Sequence, residues 1–385
     1  MIRTIFIVLI CACVLMGCTN QNTPLSDKDV IVLDSANLSQ QPNAKIHLPI
    51  SFYKKFEGVI GSDTVLVDLT KKDTVLTVTY FDSRIGENSI LYGRVGSDGT
   101  FDLFAIYHKE INFSGSFSNE TSISGIWTDA STRDTLKFSM SEKTDNVIAV
   151  SFEELHRTNC RVRDKMESSG NSNASDSICS RIDLDFIKVA ASTQEATQNM
   201  NKVITSMVCA FSNSRDKCNA IDELMNAVDS IKQEDAAYQL YIGCSLVTNE
   251  SDILCVKVQQ SLFMLDAAHP SSNGFYCNFD IKTGKQLTLD DLIQKKYMIQ
   301  FNKLAEKKFG EENGYEEWSF PNGKFKLRSD FAITNTGLLF TYYPDEIGSY
   351  ILGTPQIHIP YEDFQNMIKP NGLIQELMKN RKFLN

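Results

Sequence analysis

Between residues 52 and 140 apolar and polar positions alternate in short runs, the period expected of strands with one buried face. The runs are 65–69 (VLVDL), 74–81 (TVLTVTYF), 90–95 (ILYGRV), 101–107 (FDLFAIY), 111–117 (INFSGSF), 122–127 (SISGIW) and 135–140 (TLKFSM). They recur roughly every ten residues, with turn residues such as Ser97, Asp98 and Gly99 between them. This spacing predicts an all-β antiparallel meander over 46–145, closing into a small barrel or sandwich. An apolar-x-Gly word repeats at Phe56–Gly58, Leu91–Gly93, Phe113–Gly115 and Ile123–Gly125. Glycine at recurring strand positions marks bends where a barrel turns its corners. The barrel's interior is expected to be filled by side chains rather than by a ligand.

Beyond residue 146 the period changes. Segments 147–160 and 181–190 predict strands, separated by a Ser/Asn-rich loop over 166–176. Ser192-Thr193-Gln194-Glu195 has the form of a capping box, with the serine bonding forward and the glutamate back. The helix after it places Ala196, Met200, Val203, Ile204, Met207 and Val208 on one face. Ile221, Leu224, Met225, Val228 and Ile231 repeat the pattern in a second helix. Both stripes are expected to pack as core. Runs 237–247, 253–265 and 274–281 predict three antiparallel strands, so 146–385 is expected to be an α+β domain with helices on an antiparallel sheet.

The stretch 278–370 is the most distinctive. A strand ends at Ile281 and Lys282-Thr283-Gly284-Lys285 forms a turn in which Gly284 supplies positive φ. Thr288 is placed to cap a helix, with Asp290 and Asp291 near the positive end of its dipole. Tyr297, Phe301, Leu304 and Ala305 continue an apolar face at helical spacing. FAIT and LLFTYY form a hairpin around Asn335-Thr336-Gly337, a short strand follows at 356–359, and helix resumes at Tyr361.

This order of TGK turn, LTLDDLI helix, GLLF hairpin, EIGSY word and IPYEDF word resembles the C-terminal envelope module of the lysozyme-sensing anti-sigma factor RsiV and of PdaC-type peptidoglycan deacetylases. Counting the region that usually precedes the module, the resemblance covers roughly 180–370. It implies an α+β fold in the cell envelope, and lysozyme or peptidoglycan as the kind of ligand. The deacetylase catalytic domain is absent, since no TFDDG-like metal motif occurs. Glu346 lies in the matching word DEIGSY, and with Tyr343 and Tyr350 it is a candidate ligand contact. The turn 248–252 and the loops 266–273 and 342–350 are expected to carry recognition.

The chain's start supplies an address. Arg3, an apolar run over 5–16 and a small residue before Cys18 fit a secretory signal peptide over 1–17. Leu15-Met16-Gly17-Cys18 is a lipobox, so Cys18 is the expected lipidation site, bearing acyl chains such as palmitate. Residues 18–45 are polar and aperiodic, a lipidated tether. No acidic run follows Cys18, which points to the outer membrane facing the periplasm.

The ten cysteines fit export. Cys11 and Cys13 leave with the signal, and seven remain besides Cys18. Proximity suggests disulfides Cys160–Cys179, Cys209–Cys218 and Cys244–Cys255, the last if the hairpin turns near Asn249-Glu250, and leaves Cys277 as a small buried residue. Six cysteines allow fifteen pairings, so sequence spacing alone leaves the connectivity open.

Catalytic chemistry is hard to find. His47, His108, His156, His269 and His358 show no metal-ligand spacing. There is no GxSxG elbow, phosphate-cradling loop or HExxH motif. No cofactor is expected. The formal net charge of −10 disfavours nucleic acid and suits a cationic partner. The expectation is a lipid-anchored envelope protein that is a non-catalytic binding or sensing module, for a lysozyme-like cationic protein or a cell-wall glycan. The alternative is a cell-wall or polysaccharide-modifying enzyme with an unrecognised site. Cys18→Ala is expected to release the protein from membranes or block its maturation. Unchanged processing and continued membrane fractionation would show the lipobox reading to be wrong.

Overall fold

The period-two region folds into a closed eight-stranded antiparallel barrel in a computed structural model of the chain. The structure describes residues 46–82, 87–105, 111–162, 177–210, 221–230, 237–265, 267–314, 318, 320, 323–344 and 346–380. The leader, Cys18, the tether, His108, Cys218 and Ile231 lie outside these described residues.

The barrel strands are β1 (Ser51–Ile60), β2 (Asp63–Lys72), β3 (Val75–Asp82), β4 (Glu87–Val95), β5 (Thr100–Ala105), β6 (Ile111–Asn119), β7 (Ser122–Asp129) and β8 (Asp134–Glu142). Pairing of β1 with β8 closes the ring, Phe56 facing Glu142 and Ile60 facing Phe138. In β5 the alternation is strict, with Phe101, Leu103 and Ala105 inward. Side chains fill the interior, among them Phe56, Leu69, Leu76, Leu91, Phe117 and Trp127. Each such burial contributes about 1.5–3 kcal/mol. Gly115 and Gly125 sit opposite one another, and the Phe138 ring occupies the space their side chains would need. β1 is the strand that alternation alone does not mark, because Tyr53 and Lys55 on its outer face are also buried.

What buries them is a second sheet that follows the barrel. It has six strands in the order β14-β13-β12-β11-β10-β9, formed by β9 (Ala149–Val162), β10 (Ser177–Ala190), β11 (Tyr238–Glu250), β12 (Ile253–Met264), β13 (Ser271–Asp280) and β14 (Gln286–Leu287). The sheet is not wholly antiparallel as the pattern predicts: β10 and β11 run parallel. A parallel pair needs a crossover, and here it contains helices α1 (Gln194–Cys209) and α2 (Ile221–Asn226). The cap of α1 is Thr193, whose hydroxyl accepts from the Ala196 N–H at 3.2 Å, one residue later than the expected Ser192. Ala196, Met200, Ile204 and Val208 pack on the sheet with Leu184, Ile242, Val256 and Phe279.

A third group of elements caps the end of this sheet. It comprises α3 (Leu289–Leu292), α4 (Met298–Asn313), a small sheet of β15 (Ala332–Ile333), β16 (Gly337–Thr341) and β17 (Gln356–Pro360), α5 (Tyr361–Phe364) and α6 (Leu373–Asn380). Phe301, Phe309, Phe340, Tyr361 and Leu377 form its core. Asn278 joins the two sheets, donating to the Phe331 carbonyl at 2.7 Å and accepting from the Ile333 N–H at 3.0 Å. Among the described residues, no helix is long and apolar enough to cross a membrane.

The turn between β11 and β12 is one place where the barrel and the sheet meet; β1 also packs beside β9. Ser251 and Asp252 both have positive φ, at 54° and 63°, and pair Glu250 with Ile253. That is the two-residue primed turn a tight hairpin favours. Lys55, 1% exposed, reaches the Glu250 carboxylate at 3.2 Å and that of Asp68 at 2.9 Å. Asp68 also accepts from the Tyr53 hydroxyl. Lys72 adds a more exposed link to Asp185 at 2.9 Å. Lys55→Ala would remove the ammonium that Glu250 and Asp68 share, and breaking a buried ion pair by deleting one partner costs about 3–5 kcal/mol. Urea unfolding should show a loss of that order, larger than for Lys72→Ala. Equal, small losses for the two variants would remove the buried pair from any structural role.

Candidate binding cleft

Strand β14 is short for a local reason. Thr288 follows it, and its N–H and hydroxyl both donate to the Asp291 carboxylate at 2.9 Å. This arrangement turns the chain into α3, as the sequence predicts for Thr288, and leaves β14 paired only with Asn278 and Phe279. Where β14 would have continued there is a cleft of about 730 Å³. One wall is the outer face of α1, with Lys202, Val203, Ser206 and Met207, and Phe275 and Tyr276 of β13 form the floor. Lys285, Gln286 and Asp330 complete the rim.

One end is closed by the turn before β14. Gly284 has φ +68°, and a Cβ there would lie 2.6 Å from the backbone of Ala196. Only glycine combines that conformation with so close an approach. Val203 and Met207, assigned by period to the core, are half-buried and line the cleft instead. Both pack partly against the core, so a helical stripe alone does not distinguish the two positions.

The charged groups of the rim are already engaged. Arg328 lies 2.8 Å from Asp330 and also pairs with Glu346, while Lys285 pairs with Asp291. The Tyr276 phenol bonds with the Thr341 hydroxyl at 3.1 Å, and burial raises its pKa, so near neutral pH it stays protonated. A volume of a few hundred Å³ with an apolar floor and a few fixed polar groups is the usual form of a binding pocket.

The three candidate contacts fall beside this cleft rather than in it. The Glu346 carboxylate pairs with Arg328 and accepts the Tyr343 N–H at 3.1 Å. Tyr343 is buried with its ring under Arg328, and its hydroxyl is directed at Gly274. Tyr350 stacks on His269 at 3.7 Å between ring centres. The turn 248–252 is not open for recognition as expected: Glu250 meets Lys55, Asn249 bonds both backbone groups of Ile148, and the Thr248 hydroxyl donates to the Ile333 carbonyl at 2.6 Å. Two other histidines have local partners, His156 beside Asp183 and His358 beside the Thr336 hydroxyl.

Among the cysteines, Cys160 and Cys179 face each other on β9 and β10 and form a disulfide, as expected. Cys209 is disulfide-bonded, and its expected partner Cys218 lies outside the described residues. Cys244 and Cys255 are not joined; both are free and buried, as is Cys277. The hairpin turns at Ser251-Asp252 rather than Asn249-Glu250, and a bulge between Leu246 and Thr248 shifts the register, so Cys244 faces Val258. Cys244 and Cys277 enter the core under α1, and Cys255 enters a separate cluster with Tyr276 and Ala332.

Residues 282–362 match the family model described as "Protein of unknown function (DUF3298)". The DUF3298 segment supplies Gly284, Lys285, Gln286 and Asp330, whereas α1 and β13 precede it, so the cleft lies along the segment's boundary. Two solved structures of DUF3298 family proteins are similar to this chain. One, from Bacteroides fragilis, has 15% identity and a TM-score of 0.47, covering 61% of this chain and 100% of its own. The other, from Pseudomonas aeruginosa, has 16% identity and a TM-score of 0.43, covering 58% of this chain and 95% of its own. No curated protein matches.

Burial pushes the Cys244 thiol up to about 12 and raises those of Cys255 and Cys277 as well. Thiols held protonated and out of water react slowly. Native protein treated with iodoacetamide near neutral pH should therefore keep these three unmodified, with a Cys160–Cys179 crosslink found by peptide mapping. Rapid alkylation of any of the three, or a Cys244–Cys255 linked peptide, would contradict the arrangement.

Proposed function

We propose that this protein is a lipid-anchored envelope protein whose second domain is a non-catalytic binding or sensing module, and that its ligand enters the cleft between α1 and β13. The observation that carries this reading is the cleft itself. Its floor is apolar, and Asp330 and Lys285 on its rim are held in internal ion pairs with Arg328 and Asp291. Such groups fix orientation and specificity; a general acid or base needs a proton-transfer partner within reach of substrate.

The resemblance of 278–370 to the RsiV and PdaC envelope module supports a protein or cell-wall ligand. The lipobox at Cys18 supports the envelope address, with the chain held at the outer membrane facing the periplasm. A net charge of −10 favours a cationic protein, with opposite charge speeding encounter and making association salt-sensitive.

Calorimetry tests this with the whole exported chain, because the barrel and the sheet share a buried ion pair. Lysozyme and soluble murein fragments would be titrated at low and moderate salt, against wild type and Met207→Arg. Met207 is half-buried on the cleft wall, so an arginine there obstructs the site. Expected is binding to one of them that weakens with the substitution, with salt sensitivity if the ligand is lysozyme. No heat with either, or binding indifferent to Met207→Arg, would remove the cleft from this role, and turnover of the fragments would remove the non-catalytic reading.

A further inference from the structure

The floor of the cleft is a sheet edge, and its backbone polarity can be followed residue by residue. Backbone groups of successive strand residues point to alternate sides. The Asp280 N–H donates outward, to the Lys285 carbonyl at 3.0 Å. By the same alternation Asn278, Tyr276 and Gly274 also face outward. β14 covers β13 only at Asn278 and Phe279, so among the described residues no strand follows Tyr276 and Gly274. Side chains occupy that place instead. The Tyr276 N–H meets the Asp330 carboxylate at 3.4 Å. The Gly274 carbonyl accepts from the Arg328 guanidinium, also at 3.4 Å, and the Gly274 N–H is bonded by the Asn273 side chain at 2.7 Å.

Two charged residues, paired with each other, thus stand where a neighbouring strand's carbonyl and N–H would stand. Charge on an open edge is a common protection against unwanted strand pairing. Both contacts are long for charge-assisted bonds, which are normally about 2.7–2.9 Å. Above this edge, α1 presents Val203 and Met207 to the cleft, with Lys202 beside them.

We propose that the β13 edge receives an extended segment of a partner protein as an added strand, in line with β14, displacing the Arg328–Asp330 plug. The proposal rests on the binding reading of the cleft and assigns its ligand as polypeptide rather than glycan. Main-chain bonds to Tyr276 and Gly274 supply affinity, and alternate side chains supply specificity. One side chain points towards α1 and is apolar, to meet Val203 and Met207. Its neighbour two positions along shares that face and is acidic, to meet Lys202. A single carboxylate suffices, so the rest of the partner's surface can be basic.

Selection of phage-displayed decapeptides on the exported chain, with counter-selection on Met207→Arg, tests this. Ser206→Trp serves as a second obstruction from an exposed position, and matched melting curves establish that both variants fold. Selected peptides should carry the apolar-x-acidic alternation and lose roughly tenfold or more in affinity on either variant. N-methylation of the peptide amide that pairs with the β13 edge should abolish binding, and hydrogen exchange at the Tyr276 amide should slow in the complex. Failure to select any peptide above the Met207→Arg background would overturn the proposal, as would selected peptides that tolerate N-methylation at every position. Murein fragments that bind in a Met207-dependent way while no peptide is selected would overturn it and leave the cleft's binding role standing; if neither binds, both fall.

Discussion

The ammonium of Lys55 is buried between two structures that sequence period alone would treat as independent. Its cost of desolvation is offset only while Asp68 on the barrel and Glu250 on the sheet both hold their carboxylates against it. Tyr53 contributes a hydroxyl to Asp68, and burial, with the Asp68 charge, raises its pKa so that it remains a donor. The pairing fixes the β11–β12 turn against the barrel wall. From that turn the order follows outward: β12 holds β13, and β13 carries the floor of the cleft. Sliding the barrel relative to the sheet would separate these charges before it disturbed any apolar core.

A second constraint shapes the far edge of the same sheet. Two-residue pairing of β14, the capping of α3 by Thr288 and Asp291, and the close contact of Gly284 with Ala196 leave β13 partly uncovered under a helix. The cleft is therefore a product of chain direction rather than of missing side chains. Residues before and after the start of the DUF3298 segment contribute to it together, so the segment alone would not contain the site.

Much of the architecture was legible in the sequence because it depends on local period. The strict alternation of Thr100–Ala105, the Gly284 turn, the Thr288 cap and the hairpin of β15 and β16 all appear where the residues place them. What escaped depends on long-range partners. β1 hides its alternation because its outer face is covered by the second sheet, and the parallel pairing of β10 with β11 follows from the crossover rather than from either strand. The Cys244–Cys255 pairing failed on a two-residue shift of a turn combined with one bulge. Val203 and Met207 looked like core because helical period locates the apolar stripe but not its border, and Asp330 carried no sequence signal at all.

The distribution of the three free thiols bears on how the chain can acquire its crosslinks. Cys244, Cys255 and Cys277 lie on successive strands of one meander, and in the finished sheet Cys255 is separated from the other two by the sheet itself. An oxidant that reaches the chain before β11, β12 and β13 have paired finds three exposed nucleophiles in a span shorter than the barrel. Once the meander is laid down, the same oxidant reaches only cysteines outside it. Oxidation after the sheet has formed leaves these three thiols untouched, whereas a chain delayed at the meander exposes them to disulfide scrambling.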